Sequence, residues 1–124
     1  MKNLYTTLIK QEKMKIVINS KRRIFAIQKE FSSMFPTLEI LFYAKPSNSG
    51  GAHSEKLITH GSRSLKDCRA IHEEGVLEIL PTMTISELKS RFSDTYGLKA
   101  EVFPKPVDGI LGNPVVDDRA MGEI

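Results

Sequence analysis

The chain has 124 residues, 40% of them hydrophobic, and a formal net charge of +3; this length and composition suit one folded domain and exclude a disordered chain. One cysteine excludes an internal disulfide, and with no Trp the six Phe and three Tyr supply the aromatic bulk. No apolar run approaches the roughly 20 residues that cross a bilayer, and MKNLYTTLIKQEKMK has no continuous apolar stretch of the signal-peptide kind. A cytoplasmic protein without membrane contact is expected.

Residues 1–13 are polar and read as an N-terminal extension. Residues 14–106 read as a single α+β domain, made of unit one at 14–46, a connecting insertion at 47–75 and unit two at 76–106. Unit one opens with Ile16 and Ile18 alternating against Lys15, Val17 and Asn19, the period of a half-buried strand. Ile24, Ile27, Phe31 and Phe35 then recur three and four apart, which places them on one helix face until Pro36 stops the helix. Leu38, Ile40 and Phe42 alternate with Glu39, Leu41 and Tyr43 as a second strand.

The insertion begins with a loop at 46–54, PSNSGGAHS. EKLIT reads as a short strand, and SLKDCRAIHEEG as a short helix started by Ser64 and Asp67 and closed by Gly75. Unit two repeats the order of unit one. Val76 to Leu80 is a strand ended by Pro81, and Thr84-Ile-Ser-Glu87 is a capping box. Ile85, Leu88, Phe92 and Tyr96 form the helix stripe, Gly97 closes it, and Leu98, Ala100 and Val102 alternate as the last strand. With Thr37 treated as an insertion, Ile18 aligns with Ile79, Ile24 with Ile85, Phe31 with Phe92 and Leu38 with Leu98. Residues 107–124 lack periodicity and read as a loose C-terminal tail with one short hairpin.

Strand–helix–strand used twice is the order of the ferredoxin-like, split βαβ sandwich, in which helices cover one face of a single sheet. The alternative is a β-grasp fold. It enters because LEILPTMTISELKSRFSDTYGL, residues 77–98, resembles the strand, turn and capped helix of ubiquitin-like proteins. Gly75 to Leu88 and Gly97 to Phe103 are also similar to a GxLEIxPxMTxxEL…GLxxxVF stretch in a group of small uncharacterised bacterial proteins. In that group the last strand runs into a basic hairpin with Gly and Trp, where this chain has PKPVDGILGNP. The resemblance implies no activity.

Charge is spread unevenly. Residues 1–46 carry nine basic and three acidic side chains (net +6), and residues 76–124 carry five and eight (net −3). Such a gradient steers an acidic partner, or simply lets two halves suit each other within one fold or a dimer. Lys21, Arg22 and Arg23 concentrate the positive charge at a helix start, where it opposes the helix dipole unless an anion docks there. The aligned positions in unit two are Thr82, Met83 and Thr84, so the fold itself does not demand cations. The plainer reading is a solvated basic turn.

Other chemistry is thin. Cys68 and His72 share a face if they lie on a helix, and with His60 they offer three metal ligands. No CxxC or HExxH accompanies them, and a small buried thiol beside a surface imidazole is the simpler reading. SNSGGAHSEK and THGSRS match no phosphate-binding loop. Glu73-Glu74 and Asp117-Asp118 are adjacent carboxylates in polar segments, where no pKa shift is expected. We therefore expect a non-catalytic protein with no metal, no cofactor and no small-molecule substrate.

The expected site is a sheet face or edge together with the basic helix start. If the alternating residues above face the helices, Val17, Leu41, Tyr43 and Phe103 face the other way. Lys15, Lys21, Arg22, Arg23, Tyr43 and Phe103 are then the partner- or anion-binding residues. A protein partner or self-association as a homodimer is the first expectation. Nucleic acid stacked on an aromatic sheet face is the alternative, although no RNP1 pattern is present.

Overall fold

The structure is a computed structural model, and it describes residues 13–44, 56–58, 62–69 and 71–124. The loop at 46–54, His60 and residues 1–12 lie outside the described residues. The element order is β1 (Met14–Ile18), α1 (Ile24–Met34), β2 (Leu38–Phe42), a 3-10 turn (Leu65–Asp67), β3 (Gly75–Ile79), α2 (Ile85–Tyr96), β4 (Ala100–Pro104) and a last 3-10 turn (Met121–Glu123). Both units are therefore strand–helix–strand, and the protein is α+β. No helix among the described residues is long and apolar enough to cross a membrane.

The strands pair across the units. β1 runs antiparallel to β3 with Ile16 opposite Leu77, and β2 runs antiparallel to β4 with Leu41 opposite Glu101. In the alignment of the two units, Ile16 corresponds to Leu77 and Leu41 to Glu101. Each ribbon thus pairs a strand with its own counterpart, about one approximate two-fold relation. The result is two two-stranded sheets. The split βαβ order would instead place β2 and β4 at opposite edges of one sheet, and these strands form no β-grasp sheet. Alternation says which face of a strand is buried, but several strand orders satisfy the same alternation.

Burial follows the expected periods. Ile16, Ile18, Leu77 and Ile79 from one ribbon join Leu38, Ile40, Phe42, Ala100 and Val102 from the other in a common core. Ile24, Ile27 and Phe31 of α1 and Ile85, Leu88, Phe92 and Tyr96 of α2 fill the same core. The Phe42 and Phe92 rings meet edge to face with centroids 5.4 Å apart.

The helices start differently. In α2, Thr84 Oγ1 accepts from the Glu87 amide at 3.2 Å and Glu87 Oε1 accepts from the Thr84 amide at 3.3 Å, so the capping box forms. α2 ends at Gly97 with φ 63, a left-handed residue; a Cβ there would stand 2.6 Å from Ile71 Cγ1. At the start of α1 the N-cap is Arg23, whose side chain does not cap the helix. The Ile24 amide donates instead to the Arg63 carbonyl at 2.8 Å, and the Leu65 amide donates to the Arg22 carbonyl at 3.0 Å. The insertion supplies the cap that the sequence of unit one lacks.

Three segments depart from the sequence reading. Among the described residues of 64–75 the helical part is the 3-10 turn alone; Arg69 is buried, and Gly75 already belongs to β3. Of EKLIT, the described residues 56–58 form a bridge from Leu57 to Tyr43, flanked by bonds from the Ala44 amide to the Lys56 carbonyl and from the Ile58 amide to the Phe42 carbonyl. The tail is not loose either. Val115 donates to the Val102 carbonyl at 2.8 Å, Met121 to the Met83 carbonyl at 2.8 Å and Gly122 to the Pro81 carbonyl at 2.9 Å. The short hairpin is a tight turn from Val107 to Ile110, with Asp108 and Gly109 at positive φ.

Met121 is 1% exposed and belongs to the core. Met121→Ala should cost about 2–5 kcal/mol of unfolding free energy, the range for removing a buried long side chain. Urea denaturation measures it. A loss under about 1 kcal/mol would mean that the site collapses easily or that the tail does not pack as described.

Candidate functional site

The β1–β3 ribbon presents an outer face and two long edges. Val17 and Val76 are opposite each other on that face and are 47% and 51% exposed. Lys15 lies opposite Glu78, and Lys13 Nζ sits 2.9 Å from Glu78 Oε2. The hydrogen bond from Lys13 holds the Glu78 carboxyl below its ordinary value, helped by the charges of Lys13, Lys15 and Arg91.

The two edges of this ribbon differ. Arg22 Nη1 donates to the Val17 carbonyl at 3.2 Å, so that carbonyl points away from β3. In an antiparallel ladder such outward-turned residues alternate. Lys15 on β1 and Val76 and Glu78 on β3 therefore turn their amides and carbonyls outward as well. Arg22 is held in place by Glu30, whose two carboxylate oxygens accept from Nη1 at 3.2 Å and from Nη2. That contact also raises the Arg22 pKa above the ordinary arginine value.

In unit two, Glu78 corresponds to Val17 and Met83 to Arg22. Met83 is buried in the core, and its sulfur accepts from the Leu80 amide at 3.3 Å. It leaves the β3 edge uncapped. Among the described residues no group bonds the main chain of Val76 or Glu78 on that side.

The β2–β4 ribbon is closed by comparison. Gln28 Nε2 and Ser32 Oγ donate to the Ile40 and Leu38 carbonyls, each at 3.0 Å. Ile58 donates to the Phe42 carbonyl, and on β4 Val115 donates to the Val102 carbonyl. Leu41 and Phe103 do point away from the common core, yet they are only 6% and 3% exposed. Phe103 offers no ring to a partner.

The expected site residues therefore separate. Lys15 lies on the outer face of the β1–β3 ribbon, and Lys21 is exposed in the turn after β1. Arg22 serves Glu30 and the β1 edge, while Arg23 Nη1 donates to the Ser62 carbonyl at 2.6 Å. The first helical amide already has Arg63 as acceptor, so an anion cannot take that donor. Tyr43 is half-buried on the other ribbon, with Lys99 Nζ 5.1 Å from its ring centre. Val76 and Glu78 are the residues that sequence reasoning missed. The signal available was the change from Arg22 to Met83 between aligned positions.

The insertion holds a second polar cluster. Arg69 is 1% exposed, and Nη1 donates to the Glu73 carbonyl at 2.6 Å and to the Tyr96 carbonyl at 3.2 Å. Its Nη2 donates to Ser20 Oγ at 3.0 Å, which is 2.7 Å from His72 Nδ1. Burial lowers the Arg69 pKa, opposed by the nearby Glu74, Cys68 and Glu73. A cation at the carbonyl end of α2 is favoured by the helix dipole, and here it ties the insertion to both units. His72 is thus engaged with Ser20, and Cys68 is a buried free thiol. Among the described residues no group of three or more His, Cys, Asp and Glu is placed to hold a metal.

Comparison of the chain with protein-family models, with curated proteins and with solved structures found no match.

Burial, reinforced by Asp67 and opposed by Arg63 and Arg69, pushes the Cys68 thiol from 9.0 up to about 12. The neutral thiol is favoured in the fold, so its contribution is complete below the unfolded pKa and is lost as the pH rises from there towards about 12. The stability advantage of the wild type over Cys68→Ala should shrink by about 1–2 kcal/mol between about pH 8 and about pH 10. Urea denaturation of both proteins at each pH checks it. A difference that does not change with pH contradicts the burial of this thiol.

Proposed function

We propose that the protein is a non-catalytic interaction module that takes an extended strand of a protein partner on the edge of β3. The single observation that carries this reading is the outward main chain of Val76 and Glu78, unpartnered among the described residues, beside the exposed Val17 and Val76 side chains. Open edges template further pairing, and strand addition uses them through main-chain hydrogen bonds. Lys15 and Lys21, both exposed, set the orientation of an acidic segment. A reducing compartment such as the cytoplasm suits a chain whose one cysteine is a buried thiol.

The nucleic-acid alternative has less support. Two of its cations are committed to Glu30 and Ser62, and the Phe103 ring is buried.

Photo-crosslinking in the native host tests the reading. A benzophenone amino acid in place of Val76 should capture protein, whereas the same group in place of Ser33, exposed on α1, should not. Equal adducts from both positions, or none from Val76, would overturn it.

A further inference from the structure

The β3 edge selects its own partner when the registers open to it are compared. Its outward groups belong to Val76 and Glu78, so an added strand must present outward groups at the same spacing of two. A second β3, antiparallel and related by a two-fold axis through Leu77, meets that condition. Val76 then lies opposite Glu78 of the second copy and Glu78 opposite its Val76, and both residues exchange amide and carbonyl bonds.

Neighbouring registers fail on charge. Centring on Val76 places Glu78 opposite Glu74 of the second copy, and centring on Glu78 places two carboxylates directly opposite each other. Like charges in that position are destabilising. A shift of the centre by half a residue sets outward groups against inward ones.

In the Leu77-centred register the two Glu78 side chains stand on a diagonal, roughly 7–8 Å apart. Each arrives with Lys13, Lys15 and Arg91 around it. β1 offers no equivalent, since pairing two copies of β1 requires Arg22 to leave the Val17 carbonyl.

We propose that the occupant of this edge is a second copy of the chain, forming a two-fold dimer with one continuous sheet in the order β1–β3–β3–β1. The proposal rests on the strand-addition reading above and names its partner. The contact is one strand wide and belongs with small, reversible interfaces.

Sedimentation of the full chain over a dilution series tests it, together with Val76→Pro. The Val76 amide points outward and has no partner among the described residues, so proline is tolerated there and removes only the donor to an added strand. The wild type should move from monomer towards twice the monomer mass as concentration rises, and Val76→Pro should stay monomeric with an unchanged circular dichroism spectrum.

A second measurement does not depend on proline. Val76→Cys mixed with Glu78→Cys should form a disulfide-linked dimer under mild oxidation, faster than either variant alone, because the register places these two positions together. A wild type that remains monomeric throughout, or a Val76→Pro protein that dimerises equally, overturns the proposal. So do single cysteine variants that couple as fast as the mixture. If the wild type stays monomeric while position 76 still captures another protein in cells, self-pairing falls and strand addition stands. If neither occurs, both fall.

Discussion

Both strand pairs pass through counterpart positions of the two units, Ile16 with Leu77 and Leu41 with Glu101, and the remaining structure depends on that crossing. Each unit gives one strand to each ribbon, so neither unit has a hydrogen-bonded strand pair of its own. The inward side chains of both ribbons then close over α1 and α2 together. Phe31 and Phe92, the counterpart aromatic residues of the two helices, are both fully buried in that layer. A two-stranded ribbon is marginal alone, and here its inner face is sealed by helices from both units.

The departures from this symmetry carry the functional reading. Unit two has its own capping box and a Met at position 83 that fills the core. Unit one has three consecutive cations instead. Two of them have local roles: Arg22 donates to the Val17 carbonyl on the β1 edge, and Arg23 donates to the Ser62 carbonyl of the insertion. The cap missing from α1 comes from Arg63, and Arg69 pins the other end of the insertion to the carbonyl end of α2. Among the described residues, the β1 edge has its Val17 carbonyl taken by Arg22, while no outward group of Val76 or Glu78 on β3 has a partner. Of the three cations, Arg22 is engaged with Glu30 and Val17, Arg23 with Ser62 of the insertion, and Lys21 stays exposed.

Much of this was legible in the sequence, and the limits have physical causes. The helix stripes, the Thr84–Glu87 box and the inward residues of β1, β2 and β4 follow from local periodicity and capping chemistry. The order of strands does not, because alternation is silent about neighbours. Met121 carries no periodic signal and reaches the core through a backbone bond to Met83, a contact between distant segments. Leu41 and Phe103 were correctly placed away from the common core, but their burial depends on tertiary surroundings that alternation does not encode. The candidate site was less visible than the fold. An open edge is an absence of partners, and its only trace in the sequence is the exchange of Arg22 for Met83.

The central claim is that the main chain of β3 alternates between paired and open groups. Amide hydrogen exchange, followed residue by residue in dilute protein, tests it most directly. The account predicts slow exchange at Leu77 and Ile79 and fast exchange at Val76 and Glu78, within the same five-residue strand. Val76 and Glu78 amides as protected as Leu77 would mean that this edge is already covered, and the account would be contradicted.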